Sequence, residues 1–202
     1  RYRIVTFQEF LASHKNRVEY WSMRRELIPG LLNAQPNPAH HALAKLEAGG
    51  KLDYVITQNI DGLHQAAGNR RVIELHGTNI TASCLTCRRQ WPIAEIQQRL
   101  EAGDLDPHCE KCNGLIKPDT VSFGQSMPTE AMDMAYQAAA KCDLLLMIGS
   151  SLEVQPANQF PLVAHQSGAR LIFINRTPTP YDHLAALRFS ESAGQIMQSL
   201  IE

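Results

Sequence analysis

The chain has 202 residues, 44% hydrophobic and 19% charged, which suits one folded core or one domain with a small satellite and excludes a disordered or fibrous chain. Nineteen Lys and Arg against 20 Asp and Glu leave a net charge of −1, which argues against a basic surface built to coat nucleic acid. The longest apolar run, Leu144 to Ile148, is far short of the roughly 20 residues a bilayer span needs, and no secretory signal is visible in the opening Arg1-Tyr2-Arg3.

Phe7 to Leu11 begins a helical pattern, and a second runs from about Val18 to Ile28 and stops at Pro29-Gly30. Asn37-Pro38 reads as an N-cap with proline in the first helical position, opening a helix to Glu47 that ends at Gly49-Gly50. Short strands follow at 54–57 and 72–76. Residues 84–117 show weak periodicity and one helix at Ile93 to Leu100, so they read as an inserted module. A strand or extended loop covers Thr120 to Gly124, and a helix spans about 130–140. The apolar runs 143–148 and 171–174 read as strands covered on both faces, with helices at about 158–166 and 191–201. The expected fold is α/β, with a doubly wound, mostly parallel, Rossmann-like sheet and an inserted zinc ribbon. Residues 1–80 and 118–202 would form the Rossmann-like domain, with a helical part of the small domain at about 7–48, and 81–117 the ribbon.

Four of the five cysteines form two C-x-x-C pairs, Cys84/Cys87 and Cys109/Cys112. Their separation is close to the zinc-ribbon spacing of about 15–20 residues. Two thiolates from each tight turn complete a tetrahedron around one Zn2+, and four thiolates leave no open position for catalysis. Two redox pairs or disulfides are the competing reading. Cys142, just before an apolar strand, reads as a core residue. Thiols kept free for zinc imply a reducing compartment, hence the cytoplasm or a similar interior.

Polar or glycine-rich residues close four of the expected strands: Thr57 to Asp61, His76-Gly77, Gly149-Ser150-Ser151 and Asn175-Arg176-Thr177. Ligands of an open parallel sheet bind beyond the carboxyl ends of its strands. One such ending is only a turn, but four suggest a polar ligand. His76 is the candidate base, because an imidazole near its free pKa accepts a proton at neutral pH. His14, His40, His41, His165 and His183 read as structural. Asn59 and Asp61 suit either an amide and a cationic ring or the capping of the next helix. The G-x-G-x-x-G dinucleotide fingerprint is absent.

The string Thr57-Gln58-Asn59-Ile60-Asp61-Gly62-Leu63-His64, then Glu74-Leu75-His76-Gly77, closely resembles the sirtuins, the NAD-dependent protein lysine deacylases. The cysteine pairs, Ile116 to Gly124, Gly149 to Ala157 and Ile174-Asn175 agree in the same order. The resemblance implies that His76 activates a ribose hydroxyl of NAD while Gln58, Asn59, Ile60 and Asp61 line the nicotinamide pocket. Gly149, Ser150, Ser151, Asn175, Arg176, Thr177 and Ala193 would hold the adenosine half. Val121, Phe123 and Gly124, with Glu153 and Val154, would clamp an acyl-lysine peptide as an added strand. The implied products are nicotinamide, O-acyl-ADP-ribose and deacylated lysine, and the partners are acyl-lysine proteins or peptides, with no nucleic acid and no membrane.

Three departures from the family pattern stand out. Sirtuins open with a strand and a Gly-Ala-Gly phosphate loop, whereas this sequence starts after that stretch, at Arg1, so it is expected to bind NAD poorly as given. Members that remove succinyl or malonyl groups carry Tyr-x-x-Arg on a helix where this chain has Trp21 and Arg24. Arg24 retains the bidentate fork for a carboxylate, so desuccinylase or demalonylase activity stays open beside deacetylase activity. Gln125 replaces the usual glutamate after Phe-Gly. The rival readings are a non-catalytic NAD, ADP-ribose or acyl-lysine binding module, a mono-ADP-ribosyltransferase, and a zinc-ribbon nucleic-acid module.

Overall fold

The computed structural model describes residues 2–201, so the Arg1 that opens the sequence lies outside the described residues. Thr6 caps helix α1 (Phe7–Ala12). Its hydroxyl accepts from the Glu9 amide while the Glu9 carboxylate takes the Thr6 amide. Ser13 caps α2 (His14–Asn33). This helix does not stop at Pro29-Gly30, because Pro29 lies inside it. A proline there offers no N–H to the Arg25 carbonyl one turn earlier. Gln97 supplies the missing donor, its Nε2 lying 3.1 Å from that carbonyl. Asn37 caps α3 (Pro38–Ala48), accepting from the amides of Ala39 and His40, with Pro38 in the first turn.

Next come β1 (Val55–Thr57), α4 (Leu63–Ala67), β2 (Val72–Glu74), β3 (Gly77–Cys84), β4 (Gln90–Pro92), α5 (Ile93–Glu101) and β5 (Ile116–Thr120). The chain continues through α6 (Thr129–Lys141), β6 (Leu144–Ile148), α7 (Phe160–Gln166), β7 (Arg170–Ile174), β8 (Leu187–Phe189) and α8 (Ala193–Ser199). The strand expected over Thr120 to Gly124 sits earlier, at β5, and residues 121–125 are extended chain and turn. Pro118 hides β5 from a sequence reading. It is tolerated because β5 is an edge strand, where a missing donor costs little.

The chain divides into two compact units. The first holds residues 2–34, Asn59–Gly62 and His76–Pro128. Its antiparallel sheet has the order β4-β3-β5. Its core joins Phe10, Tyr20, Trp21 and Ile28 to Ile93, Ile96 and Leu100 of α5. The second unit holds Gln35–Gln58, Leu63–Leu75 and residues 129–201. It contains the parallel pair β1-β2 and the parallel sheet β6-β7-β8. In this unit α3 packs on α8 and α6 on α7. The units cut across the boundaries at 80 and 118 drawn from the sequence. The Asn79 amide bonds the Ile60 carbonyl at 2.8 Å, and β5 pairs with β3.

Strand β7 is central and buries Leu171, Phe173 and Ile174. Strand β6 is less enclosed than its apolar run suggests, with Leu144 39% exposed. Among the described residues it pairs with β7 alone, so one side has no strand to cover it. Strand β8 has only three residues, and Arg188 at its centre breaks any apolar run. No helix among the described residues is long and apolar enough to cross a membrane.

The Gln97–Arg25 bond yields a test. Replacing Gln97 by leucine should cost about 0.5–1.5 kcal/mol by removing the donor to the Arg25 carbonyl. In a Pro29→Ala background the restored helical N–H should make the same replacement cheaper. Equal costs in the two backgrounds, measured by denaturant unfolding, would show that Gln97 does not serve that carbonyl.

Candidate active site

In the first unit His76 stands immediately before β3, half-buried, and its carbonyl accepts from the Val121 amide at 2.8 Å. This bond continues the β3–β5 ladder, in which Gly77 lies opposite Thr120. Gly77 has a φ of +67°, and a Cβ there would be driven into the Asp119 carbonyl. Between Gly77 and Ala82 the register with β5 slips, and within that bulge Asn79 ties β3 to Ile60. The loop of Asn59, Ile60 and Asp61 is thereby fixed to the strand that His76 precedes. Gly62 seals the loop, with a φ of +70° and Ile80 Cγ1 2.8 Å from where a Cβ would stand.

The segment after β5 is pinned from a second side. The Phe7 amide donates to the Phe123 carbonyl at 2.9 Å, and Gln8 Nε2 to the Gly124 carbonyl at 2.7 Å. Phe123 itself is 68% exposed. Trp21 is fully buried in the core of the unit. Arg24, one turn on, donates through Nη1 to Asn79 Oδ1 at 3.0 Å and through Nη2 to Thr120 Oγ1 at 3.1 Å. Its guanidinium lies 5.1 Å from the Tyr20 ring centroid. Sequence reasoning missed Asn79 in this network, because a single buried asparagine carries no pattern that announces partners on α2 and in the 59–62 loop.

The second unit brings two of the expected strand ends together. The Gly149 amide donates to the Ile174 carbonyl at 3.0 Å, so Gly149-Ser150-Ser151 lies beside Asn175-Arg176-Thr177. Gly149 has a φ of +64°, and no heavy atom stands within 4 Å of where its Cβ would sit, so the backbone there is open to close approach. Ser150 Oγ accepts from the Leu152 amide at 3.2 Å. Leu152 is held at a φ of +55°, a costly conformation for a non-glycine residue. Asn175 Nδ2 donates to the Thr177 carbonyl at 2.9 Å, which fixes the turn after β7. Glu153 and Val154 are exposed, Gln58 is half-buried after β1, and Ala193 opens α8.

The four cysteines converge, with all sulfurs within 4.8 Å of one another. Cys84 Sγ lies 3.5 Å from Cys112 Sγ, and Cys87 Sγ lies 3.6 Å from Cys109 Sγ. Four ligands about 2.3 Å from one zinc would stand about 3.8 Å apart, so the set fits a tetrahedral ion. The two turns share one geometry. Arg88 and Asn113 each follow a C-x-x-C, each has a positive φ (62° and 56°), and each amide bonds the carbonyl of the first cysteine in its pair. Burial pushes the Cys84 thiol up, but the amides of Cys87 and Thr86 and the neighbouring thiols bring it down to about 6. The Gly114 amide pulls Cys112 down, yet burial and its three thiol neighbours prevail and push it up to about 12. A divalent cation relieves that conflict by stabilising all four thiolates. Cys142 is not among them, and its Sγ faces the Ala139 carbonyl at 3.3 Å.

Chelation provides the test of this centre. The purified chain should carry one zinc, and stripping it should disrupt the packing of Trp91, which shares a core with Cys84 and Cys109. A metal-free chain with unchanged tryptophan fluorescence and melting temperature would contradict a structural zinc.

Comparison with known proteins agrees with the geometry. Residues 1–156 match the family described as the Sir2 family. An NAD-dependent protein deacetylase of Thermodesulfovibrio yellowstonii is 50% identical over 202 residues, 100% of this chain and 79% of that protein. An NAD-dependent protein deacetylase of Thermotoga maritima is 38% identical, over 96% of this chain and 78% of the relative. A Sir2 protein solved with a p53 peptide and NAD+ superposes with a TM-score of 0.88 at 37% identity, covering 98% of this chain and 84% of that one. The chain belongs to the Sir2 family, the sirtuins.

Proposed function

We propose that this chain is an NAD-dependent protein lysine deacylase, acting chiefly as a deacetylase. The observation that carries the reading is the backbone bond from Val121 to His76, which locks a candidate base to the edge of an exposed extended segment. The names of the relatives, and a Sir2 protein solved with a propionylated peptide at 38% identity and a TM-score of 0.88, support the same reading.

Bound NAD would supply a ribose that carries a cationic nicotinamide leaving group, and with one solvent water consumed the products are nicotinamide, O-acyl-ADP-ribose and free lysine. The residues of this chain do the rest. His76 accepts the proton of a ribose hydroxyl at a ring nitrogen. Asn59 and Asp61, with Gln58 and Ile60, offer amide, carboxylate and apolar contacts to the nicotinamide. The hydroxyls and open backbone of Gly149, Ser150 and Ser151, with Asn175, Arg176, Thr177 and Ala193, suit the hydroxyl-rich adenosine half. Val121, Phe123 and Gly124, and separately Glu153 and Val154, offer backbone groups to an extended peptide. Cys84, Cys87, Cys109 and Cys112 hold a zinc that takes no part in the reaction.

Acetyl and other neutral acyl groups are the preferred cargo. Arg24 already commits both terminal nitrogens to Asn79 and Thr120. Recruiting it to a succinyl or malonyl carboxylate would break two charge-assisted bonds, each worth about 1.5–3 kcal/mol. Trp21 is buried and lacks the phenol found at that position in members that remove acidic acyl groups.

Two assays check these roles. Nicotinamide release in the presence of an acetyl-lysine peptide should fall by at least about a hundredfold in His76→Ala, whereas equal turnover would remove His76 as the base. Wild-type kcat/KM should favour an acetyl over a succinyl peptide by at least about tenfold, and Arg24→Ala should weaken turnover of both. A preference for the succinyl peptide that vanishes in Arg24→Ala would reverse the assignment.

A further inference from the structure

Lys117 is an unusual residue for the middle of a short strand. It is 2% exposed, in a class of side chain almost never fully buried without a counter-charge. Its ammonium makes no ion pair among the described residues. It donates instead to two main-chain carbonyls, that of Pro118 at 3.1 Å and that of Thr120. The Phe7 ring of α1 lies 5.9 Å from it. The charged groups that face it are Arg24 of α2, which repels it, and Asp119 of its own strand, which attracts it. Asp119 is itself engaged, with Oδ2 accepting from Thr81 Oγ1 at 2.5 Å and from Gln90 Nε2 at 2.9 Å.

The Thr120 carbonyl is the acceptor that matters. It belongs to the same peptide unit as the Val121 amide, and that amide donates to the His76 carbonyl. The Thr120 side chain is held independently by Arg24. A buried charge is therefore applied to one peptide plane, and the opposite edge of that plane carries the backbone of the candidate base. Pulling electron density toward the carbonyl oxygen makes the amide of the same unit a stronger donor. The same plane begins the exposed 121–124 segment, whose far end is fixed by Phe7 and Gln8.

We propose that Lys117 is a positioning residue that holds the Thr120–Val121 peptide plane, and through it sets both the His76 backbone and the strand edge that receives the acyl-lysine peptide. The proposal rests on the deacylase reading for its substrate, but its structural half does not. Burial, with the Arg24 charge in the same direction and Asp119 opposing, brings the Lys117 amine down to about 8. The charge on the plane is consequently lost as pH rises through that value. The fold as a whole should gain from this group over the same range. A lysine that titrates at about 8 in the fold and at 10.5 when exposed makes stability rise with pH between those values. Positioning and stability thus move in opposite directions, which separates this role from simple packing.

The experiment has two arms on the full chain. In the first, the Val121 amide shift is followed by NMR from pH 7 to about 9.5. It should step with a midpoint near 8 in the wild type, and stay flat in Lys117→Met if that variant folds. In the second, nicotinamide release is measured against acetyl-peptide and against NAD. Lys117→Met should raise KM for the peptide about tenfold, leave KM for NAD within about twofold, and lose the decline in kcat/KM expected of the wild type above pH 8. Lys117→Gln, which keeps a donor without the charge, should behave like Lys117→Met above pH 8. A Val121 amide that does not titrate in the wild type overturns the proposal, even if neither variant folds. An unchanged peptide KM in a folded Lys117→Met also overturns it. A wild type that titrates at Val121 and binds NAD, yet releases no nicotinamide with any acyl-peptide, would instead sink the deacylase reading and leave the positioning of His76 intact.

Discussion

The pairing of β3 with β5 is the constraint on which the first unit depends. One end of this ladder carries Cys84 opposite Ile116, and the other carries Gly77 opposite Thr120. One zinc ligand, Cys84, therefore ends β3, while the base candidate precedes the same strand and the exposed 121–124 segment follows its antiparallel partner. Only glycine serves at position 77, where the backbone takes a positive φ and passes against the Asp119 carbonyl. The bulge between Gly77 and Ala82 then bends β3 enough for Asn79 to reach both Ile60 and Arg24. A three-stranded sheet is stable only when an apolar face is covered. The zinc closes one end, and α1, α2 and α5 supply the apolar core against the other.

Charge inside this unit is spent on geometry. Arg24 and Lys117 both bond neutral acceptors, and both act on Thr120, one through its side chain and one through its carbonyl. Apolar residues at these positions would remove the desolvation cost of two cations. Retaining the cations fixes a particular peptide plane, which packing alone specifies weakly. The second unit is ordered differently. Its central strand β7 is buried along most of its length, and its polar groups gather at the carboxyl ends of β6 and β7.

Much of this was legible in the sequence because the signals were local. Two C-x-x-C pairs announced a four-thiolate site, Asn37-Pro38 marked the start of α3, and the endings of β6 and β7 showed as glycine, serine and asparagine after apolar runs. What stayed hidden was set by partners remote in the chain. Pro29 ends a helix by every local rule, yet α2 continues because Gln97 takes the freed carbonyl. Pro118 masked β5, which tolerates it only as an edge strand. Nothing local assigns Asn59–Gly62 to the same unit as the cysteines, whereas the helical stretch at about 7–48 already read as part of the small domain, and the unit keeps it as far as Ala34.

The account is tested most directly by hydrogen exchange at the Val121 amide in wild type and in Gly77→Ala. The bond to the His76 carbonyl should make that amide among the slowest to exchange in its segment. Adding a methyl at position 77 should release it and abolish nicotinamide release while the zinc stays bound. A Gly77→Ala chain with Val121 still protected and full turnover would show that the β3–β5 ladder does not hold the base, and the central claim would fail.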